Sequence, residues 1–194
     1  MKAYFKDLIE TVTDSLESLD DATFDLLVGE SFDTLQRGNR IVVSGLGKNV
    51  PICDKFVGTM NSLGLDAVYM NTNSAVHGDL GLVRDGDLVI ILTKSGETVE
   101  SVYLNGLLKS RDCTRWLITF TEDCPMADDV DHTLCLSLRH EGDQWNIVPN
   151  NSTTVNLIVL QALAITLSKR MGVTLDDFKK NHPGGHIGEQ LSAR

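Results

Sequence analysis

Residues 88–98 read Leu-Val-Ile-Ile-Leu-Thr-Lys-Ser-Gly-Glu-Thr, and the fold follows from how that run changes character at its midpoint. Leu88 to Leu92 is an unbroken apolar run, the pattern of a strand covered on both faces. Thr93 to Thr98 then brings hydroxyls, a cation and a glycine, and a helix is expected from about Glu97 to Lys109. The same alternation recurs on either side. Upstream, Arg40-Ile-Val-Val-Ser44 is a short β-branched run, followed by a glycine turn and a helix from about Asn49 to Leu63 that Gly64 stops. Ala67-Val-Tyr-Met70 is a further strand candidate. Downstream, Trp116-Leu-Ile-Thr-Phe120 and Thr133-Leu-Cys-Leu-Ser-Leu138 read as strands. A long helix is expected from Ser152 to Arg170, ended by Gly172. Short strands alternating with helices predict a parallel, doubly wound α/β sheet between two helical layers, a three-layer αβα sandwich. Right-handed crossovers then gather the strand C-termini on one edge, where ligands bind.

Two amphipathic helices precede this core. Phe5, Leu8, Ile9, Val12, Leu16 and Leu19 recur at helical spacing. After the N-cap candidates Asp20 and Asp21, Phe24, Leu27, Val28, Phe32 and Leu35 do so again, and Gly38 ends the run. A short helix near Leu175 to Lys180 leads into a glycine-rich tail. The 194 residues suit one domain: helices over 1–38, an α/β core over 39–172, and a C-terminal helix and tail over 173–194.

The chain is acidic, with 27 Asp+Glu against 17 Lys+Arg, which argues against nucleic-acid or anionic-membrane partners. An anionic ligand would need a local pocket of backbone N–H groups and one or two lysines. The N-terminus carries acids among its apolar residues and does not read as a signal peptide. The apolar stretch from Thr154 to Leu167 is too short for a bilayer and reads as a core helix. Cys53, Cys113, Cys124 and Cys135 show no zinc or C-x-x-C spacing, so reduced thiols and a cytoplasmic protein are expected.

Three strand-to-helix turns concentrate polar residues. Ser44-Gly-Leu-Gly-Lys48 is neither a Walker A loop, because Val42 and Asn49 stand where Gly and Ser or Thr are needed, nor a dinucleotide fingerprint, because Val50 stands in place of the third Gly. A tight turn and a ligand site both remain open for it. Thr93-Lys-Ser-Gly-Glu-Thr98 offers hydroxyls and a glycine ahead of a helix start, the way a neutral cluster holds phosphate. An N-cap accounts for one hydroxyl but not for the run, so the phosphate reading is preferred. Pro149-Asn-Asn-Ser-Thr-Thr154 opens the long helix, and capping alone is a fair account of it. Val76-His-Gly-Asp-Leu-Gly81 is too polar for a core turn, and Asn181-His-Pro-Gly-Gly-His-Ile-Gly188 closes the chain. His132 and His140 flank a strand without a motif and read as surface residues. Nothing in the spacing of His77, His182 and His186 fixes a zinc geometry, and no metal or cofactor is expected.

Gly-Leu-Gly-Lys48, His77-Gly-Asp-Leu-Gly81, Ser95-Gly-Glu-Thr98, Ser152-Thr-Thr154 and His182-Pro-Gly-Gly185 occur in the order seen in arabinose-5-phosphate isomerases. The chain resembles that family, within the sugar isomerase (SIS) fold, over nearly its whole length. Ser-Gly-Glu-Thr marks the SIS fold broadly, whereas His-Gly-Asp-Leu-Gly with His-Pro-Gly-Gly is more specific. Two departures stand out: Asn49, Val50 and Pro51 follow the loop lysine where many relatives have Ser, and Thr93-Lys94 replaces Ser-Asn. Many relatives also append CBS regulatory modules, and their regulation is not expected in a chain that stops at Arg194.

The resemblance implies aldose–ketose isomerisation of a phosphorylated sugar, arabinose 5-phosphate to ribulose 5-phosphate, through an enediolate. Glu97 would move the proton between C1 and C2, and Lys48 would stabilise the oxyanion. His77 and His182 would serve ring opening and hydroxyl proton transfer. Thr93, Ser95, Thr98 and Ser152 would grip the phosphate, with Ser44, Gly47, Asn49, Lys94 and Thr153 on the same walls. A dimer or tetramer is expected, with the N-terminal helices at contacts and the tail reaching its own site or a neighbour's. The rival readings are a non-catalytic sugar-phosphate sensor and an isomerase of another sugar, such as a phosphohexuloisomerase, which typically lacks the His77-Gly-Asp segment.

Overall fold

The structure, a computed structural model, describes residues 1–192, so Ala193 and Arg194 of the expected tail lie outside it. Two helices come first, α1 (Lys2–Glu17) and α2 (Asp21–Gln36). Asp20 accepts the Thr23 N–H at 2.8 Å, satisfying a donor that the first turn of α2 would otherwise leave open. The core follows as β1 (Ile41–Gly45), α3 (Val50–Ser62), β2 (Ala67–Tyr69), β3 (Asp87–Leu92), α4 (Val99–Leu108), β4 (Cys113–Thr119), β5 (His132–Cys135) and α5 (Asn151–Arg170). Two short helices, α6 (Leu175–Asn181) and α7 (Gly185–Ser192), end the chain.

All five strands pair in parallel in the order β2-β1-β3-β4-β5. This is the doubly wound α/β sandwich expected from the apolar runs. Every residue of β1 and β3 is buried, as central strands with both faces covered must be. One face carries α2, α3 and α5, which pack Leu27, Phe56, Met60, Leu160 and Leu163 against Val43, Ile90 and Trp116, with α1 laid against α5. On the other face lie α4 and three 3-10 turns, closing over Val42, Val89, Ile91 and Leu117. Helix α5 is long and apolar enough to cross a membrane by length and composition, yet half of it is buried within this fold.

Some expectations shift. β4 begins at Cys113 rather than Trp116, because Arg115 hides its charge in a fork on Asp131 (2.9 and 3.1 Å). β5 stops at Cys135, three residues short of Leu138. The glycine-rich tail contains α7, a helix the run of glycines concealed. His132 and His140 are not bare surface residues. His132 packs at a tilt against Trp116, with centroids 4.7 Å apart, and sits 3.1 Å from Glu30, which also accepts the Trp116 indole N–H at 2.7 Å. His140 pairs with Thr11 and Asp7 of α1.

Candidate active site

From β1 the chain returns toward β2, and from β3 it proceeds to β4, so the connections diverge between these two strands. Such a switch point opens a crevice beyond the strand C-termini. A cleft of about 230 Å³ occupies it, lined by Gly47, Lys48 and Asn49 after β1, Thr93, Lys94 and Thr98 after β3, and Ser152, Thr153 and Asn156 on α5.

The β1 turn is held open by position rather than bulk. A Cβ at Gly45 would come 2.8 Å from the Asn49 Cβ and 3.3 Å from the Leu92 Cβ, so the close approach of the two loops demands glycine there. Lys48 is exposed and forms no ion pair among the described residues. Asn49 ties three elements together: its amide N–H approaches Leu92 O at 3.4 Å, and its oxygen accepts from Asn156 at 3.1 Å. At the cleft floor, Ser101 Oγ and Asn156 Oδ1 are buried with no partner among the described residues, which leaves two polar atoms for a ligand or solvent.

The β3 turn is shaped by Gly96, whose φ is +65° and whose missing Cβ would lie 2.2 Å from the buried Cys124 Sγ. Thr98 occupies the N-cap of α4 but makes no capping bond with its side chain. Its hydroxyl meets that of Thr93 at 3.2 Å instead, and among the described residues no side chain caps the N–H groups of the first helical turn. Ser95 accepts the Glu97 N–H at 3.2 Å. Glu97 itself is exposed at the lip of this turn, outside the cleft lining.

Helix α5 opens differently. Its N-terminus is already occupied by an anion from the chain itself, Glu141, whose side chain is 0% exposed. That carboxylate accepts the N–H groups of Asn150 and Ser152, both at 3.0 Å, the Ser152 hydroxyl at 2.8 Å and the Lys94 ammonium at 2.7 Å. Burial alone would raise its pKa, but the bonds from Lys94, Ser152 and Asn150 outweigh burial and hold it below the usual carboxylate range. Helix α1 fixes the loop that carries it: Ser15 donates to Ser137 O at 2.5 Å, Thr11 meets His140, and Leu8 lies where a Cβ on Gly142 (φ +93°) would stand.

The structure thus brings Gly47, Lys48, Asn49, Thr93, Lys94, Thr98, Ser152 and Thr153 to one cleft. Both Ser152 donors are spent on Glu141, and the Thr153 hydroxyl donates to Asn150 O at 2.9 Å, so neither hydroxyl keeps a proton for a ligand. Ser95 and Glu97 stand beside it. Ser44 does not reach it: the residue is 0% exposed and its hydroxyl pairs with Thr72 at 2.8 Å. His77 lies on the 3-10 turn Ala75–His77 after β2, exposed and outside the cleft. His182 is farther still. It stacks on Phe178 at 4.0 Å, on a helix tied by Asn181 to Ser62 O at the C-terminal end of α3. That end lies at the opposite edge of the sheet, about 20 Å away by the rise of α3. Ser101 and Asn156 in the cleft lining, and Glu141 buried behind Lys94, are residues that the motifs did not single out. The sequence shows an acid in the loop between a strand and a donor-rich helix start, but Asp143 shares that pattern, so nothing local singles out Glu141 as the cap.

The chain aligns with known proteins over nearly its full length. The SIS domain family model matches residues 34–166. The arabinose 5-phosphate isomerase KdsD of Pseudomonas aeruginosa is 36% identical over 152 residues, 78% of this chain and 47% of that protein. The KdsD of Salmonella typhi is 33% identical over 192 residues, 97% of this chain and 58% of that one. This chain therefore spans about half the length of the curated relatives it matches. A solved Escherichia coli CFT073 protein in complex with arabinose 5-phosphate superposes with a TM-score of 0.86 at 29% identity, covering 94% of this chain and 95% of that one. The family model covers the open strand ends and both cleft-lining loops, and on that match the chain belongs to the SIS domain family.

Proposed function

We propose that this chain is a sugar-phosphate isomerase that interconverts arabinose 5-phosphate and ribulose 5-phosphate. The observation that carries the reading is the uncapped helix start of α4, which lies beside the cleft that Thr93, Thr98 and Lys48 line at the β1/β3 switch point. That is a phosphate-sized anion site with a carboxylate, Glu97, at its lip. The solved relative in complex with arabinose 5-phosphate and the two KdsD relatives support the choice of sugar.

In this reading the phosphate sits on the α4 N-terminus, and the opened sugar extends past Lys48 toward the lip. Glu97 takes the proton from C2 of the aldose, leaving an enediolate, and returns it to C1 to give the ketose. Lys48 balances the charge that develops on the oxygen. His77 and His182 serve ring opening and hydroxyl proton transfer. Because His182 lies by the far end of α3 from Lys48, in this reading it acts in the cleft of a second copy. The Glu97→Gln variant tests the assignment. Isomerisation of arabinose 5-phosphate should fall by about a hundredfold or more while ligand binding persists. Activity retained in this variant defeats the role.

A second reading, a sugar-phosphate sensor without turnover, is favoured by one feature: Glu97 stands outside the cleft lining. An isomerase assay over five-, six- and seven-carbon aldose and ketose phosphates separates the two.

A further inference from the structure

Lys94 stands where charges of opposite sign meet. Its side chain, 45% exposed, lines the cleft, while its ammonium lies 2.7 Å from a carboxylate with no exposure at all. The backbone beneath is fixed independently, because Lys94 O accepts from the Phe120 N–H and from the hydroxyls of Thr119 and Thr121 at 3.0 to 3.2 Å. The stem therefore starts from a defined place. Among the bonds to the Glu141 carboxylate, three come from neutral groups at the start of α5 and one from a cation. Neutral donors satisfy its lone pairs, but among the described residues only Lys94 cancels its charge.

Apart from Glu97, which is exposed at the lip of the turn, the other charged groups nearby are committed elsewhere. Asp7 of α1 binds Arg139 and His140. Asp143 turns its carboxylate onto the N–H groups of Trp145, Ile147 and Val148 in its own loop. Lys48 lies on the cleft wall after β1, outside this pairing. With Lys94 present, the cleft and its buried neighbour carry two cations against one anion. Without it, Glu141 would leave an uncancelled negative charge beside an anion site, where like charges repel.

We infer that Lys94 is a positioning residue: it neutralises Glu141 and turns its remaining ammonium N–H bonds toward the ligand, so that the cleft accepts a dianionic head group. This rests on the reading of the cleft as a phosphate site. It assigns a function to the residue by which this chain departs from the Ser-Asn-Ser-Gly-Glu pattern, and it gives Glu141 a structural charge rather than a free one.

Sulfate, which stays dianionic between about pH 5 and 8, is the probe, titrated calorimetrically into the full chain. In Lys94→Met its affinity at about pH 8 should fall about tenfold or more. Lys94→Arg should stay within about threefold of the parent, since the charge is kept. Lys94→Met/Glu141→Gln should regain most of the loss. As the pH is lowered from about 8 to about 5, the deficit in Lys94→Met should shrink as the orphaned carboxylate takes a proton, while the double variant stays level. His140 and Glu97 are present in every variant, so what they contribute is common to all. A Lys94→Met protein that binds sulfate like the parent overturns the inference, as does a double variant no better than the single. If Lys94→Met does not fold, recovery of the melting transition by the added Glu141→Gln change supports the charge pairing, and failure to recover overturns it. Sulfate that does not bind the parent at all sinks the anion-cradle reading itself, and this inference with it.

Discussion

Helices α4 and α5 begin at the same edge of the sheet, each after a run of hydroxyl and amide residues, yet their first turns are in opposite states. The α4 start has no side-chain cap, and its two threonine hydroxyls bond each other above open N–H groups. The α5 start is filled by a carboxylate from eleven residues upstream, which takes two N–H groups and a hydroxyl. A helix N-terminus attracts one anion. Where the chain supplies its own, the helix is anchored and closed; where it supplies none, the place is free for a ligand. Donor-rich sequence at a helix start therefore does not identify a binding site until the anion that satisfies it is known.

The heaviest blow to this contrast comes from emptying α5. Glu141→Ala orphans two buried N–H groups and the Lys94 ammonium, and should cost about 3 to 4 kcal/mol, a fall in melting temperature on the order of 10 °C. The same carboxylate sets a pH signature. Its pKa in the folded chain lies below its ordinary 4.5, so the stabilisation is complete above that value and is lost as pH falls through the lower one. Glu141→Gln should remove that part of the acid slope. A variant that melts in parallel with the parent down to about pH 3 would show that the capping charge contributes nothing.

Next in size is Gly96→Ala, which acts on α4. The added Cβ meets the Cys124 sulfur at 2.2 Å and the Cys124 Cβ at 2.7 Å, on a backbone at φ +65°. A loss of about 2 to 3 kcal/mol is expected, with sulfate binding weakened because the open turn is displaced. Adding Cys124→Ala should restore the part due to the sulfur, and leave the Cβ contact at 2.7 Å together with about 1 kcal/mol of backbone strain. Thermal melts of the three proteins check this. No recovery in the double variant would mean that the sulfur does not shape the turn.

The two starts also differ in how well the sequence disclosed them. The strand runs Ile41–Val43 and Leu88–Leu92 declared the sheet, since buried parallel strands need continuous apolar residues, and the loops after them fell on the cleft edge as the topology requires. Thr93, Lys94 and Thr98 were legible for that reason. Glu141 was not, because the bond that matters joins a loop to a helix start eleven residues later, and local pattern carries no record of which carboxylate caps which helix. Ser44 misled for a simpler reason. Its hydroxyl sits near the end of β1, where strand alternation turns it onto Thr72. The imidazoles of His132 and His140 looked unassigned because their partners, Glu30, Asp7 and Thr11, belong to helices far away in sequence.

The smallest effects draw the sharpest line. Ser152→Ala deletes the hydroxyl bond to Glu141 and should lower stability by about 1 kcal/mol with little change in sulfate affinity, because that hydroxyl donates inward. Thr98→Ala should do the reverse. Its hydroxyl does not cap α4, so the loss in stability stays near about 0.5 kcal/mol or below, whereas a hydrogen bond to a charged ligand is worth about 1.5 to 3 kcal/mol, on the order of a tenfold loss of sulfate affinity. Paired melts and titrations of the two variants separate anchor from cradle. If Thr98→Ala destabilises the chain more than Ser152→Ala while binding sulfate equally well, the two helix starts have been assigned the wrong way round. The ligand edge would then have to be sought on α5.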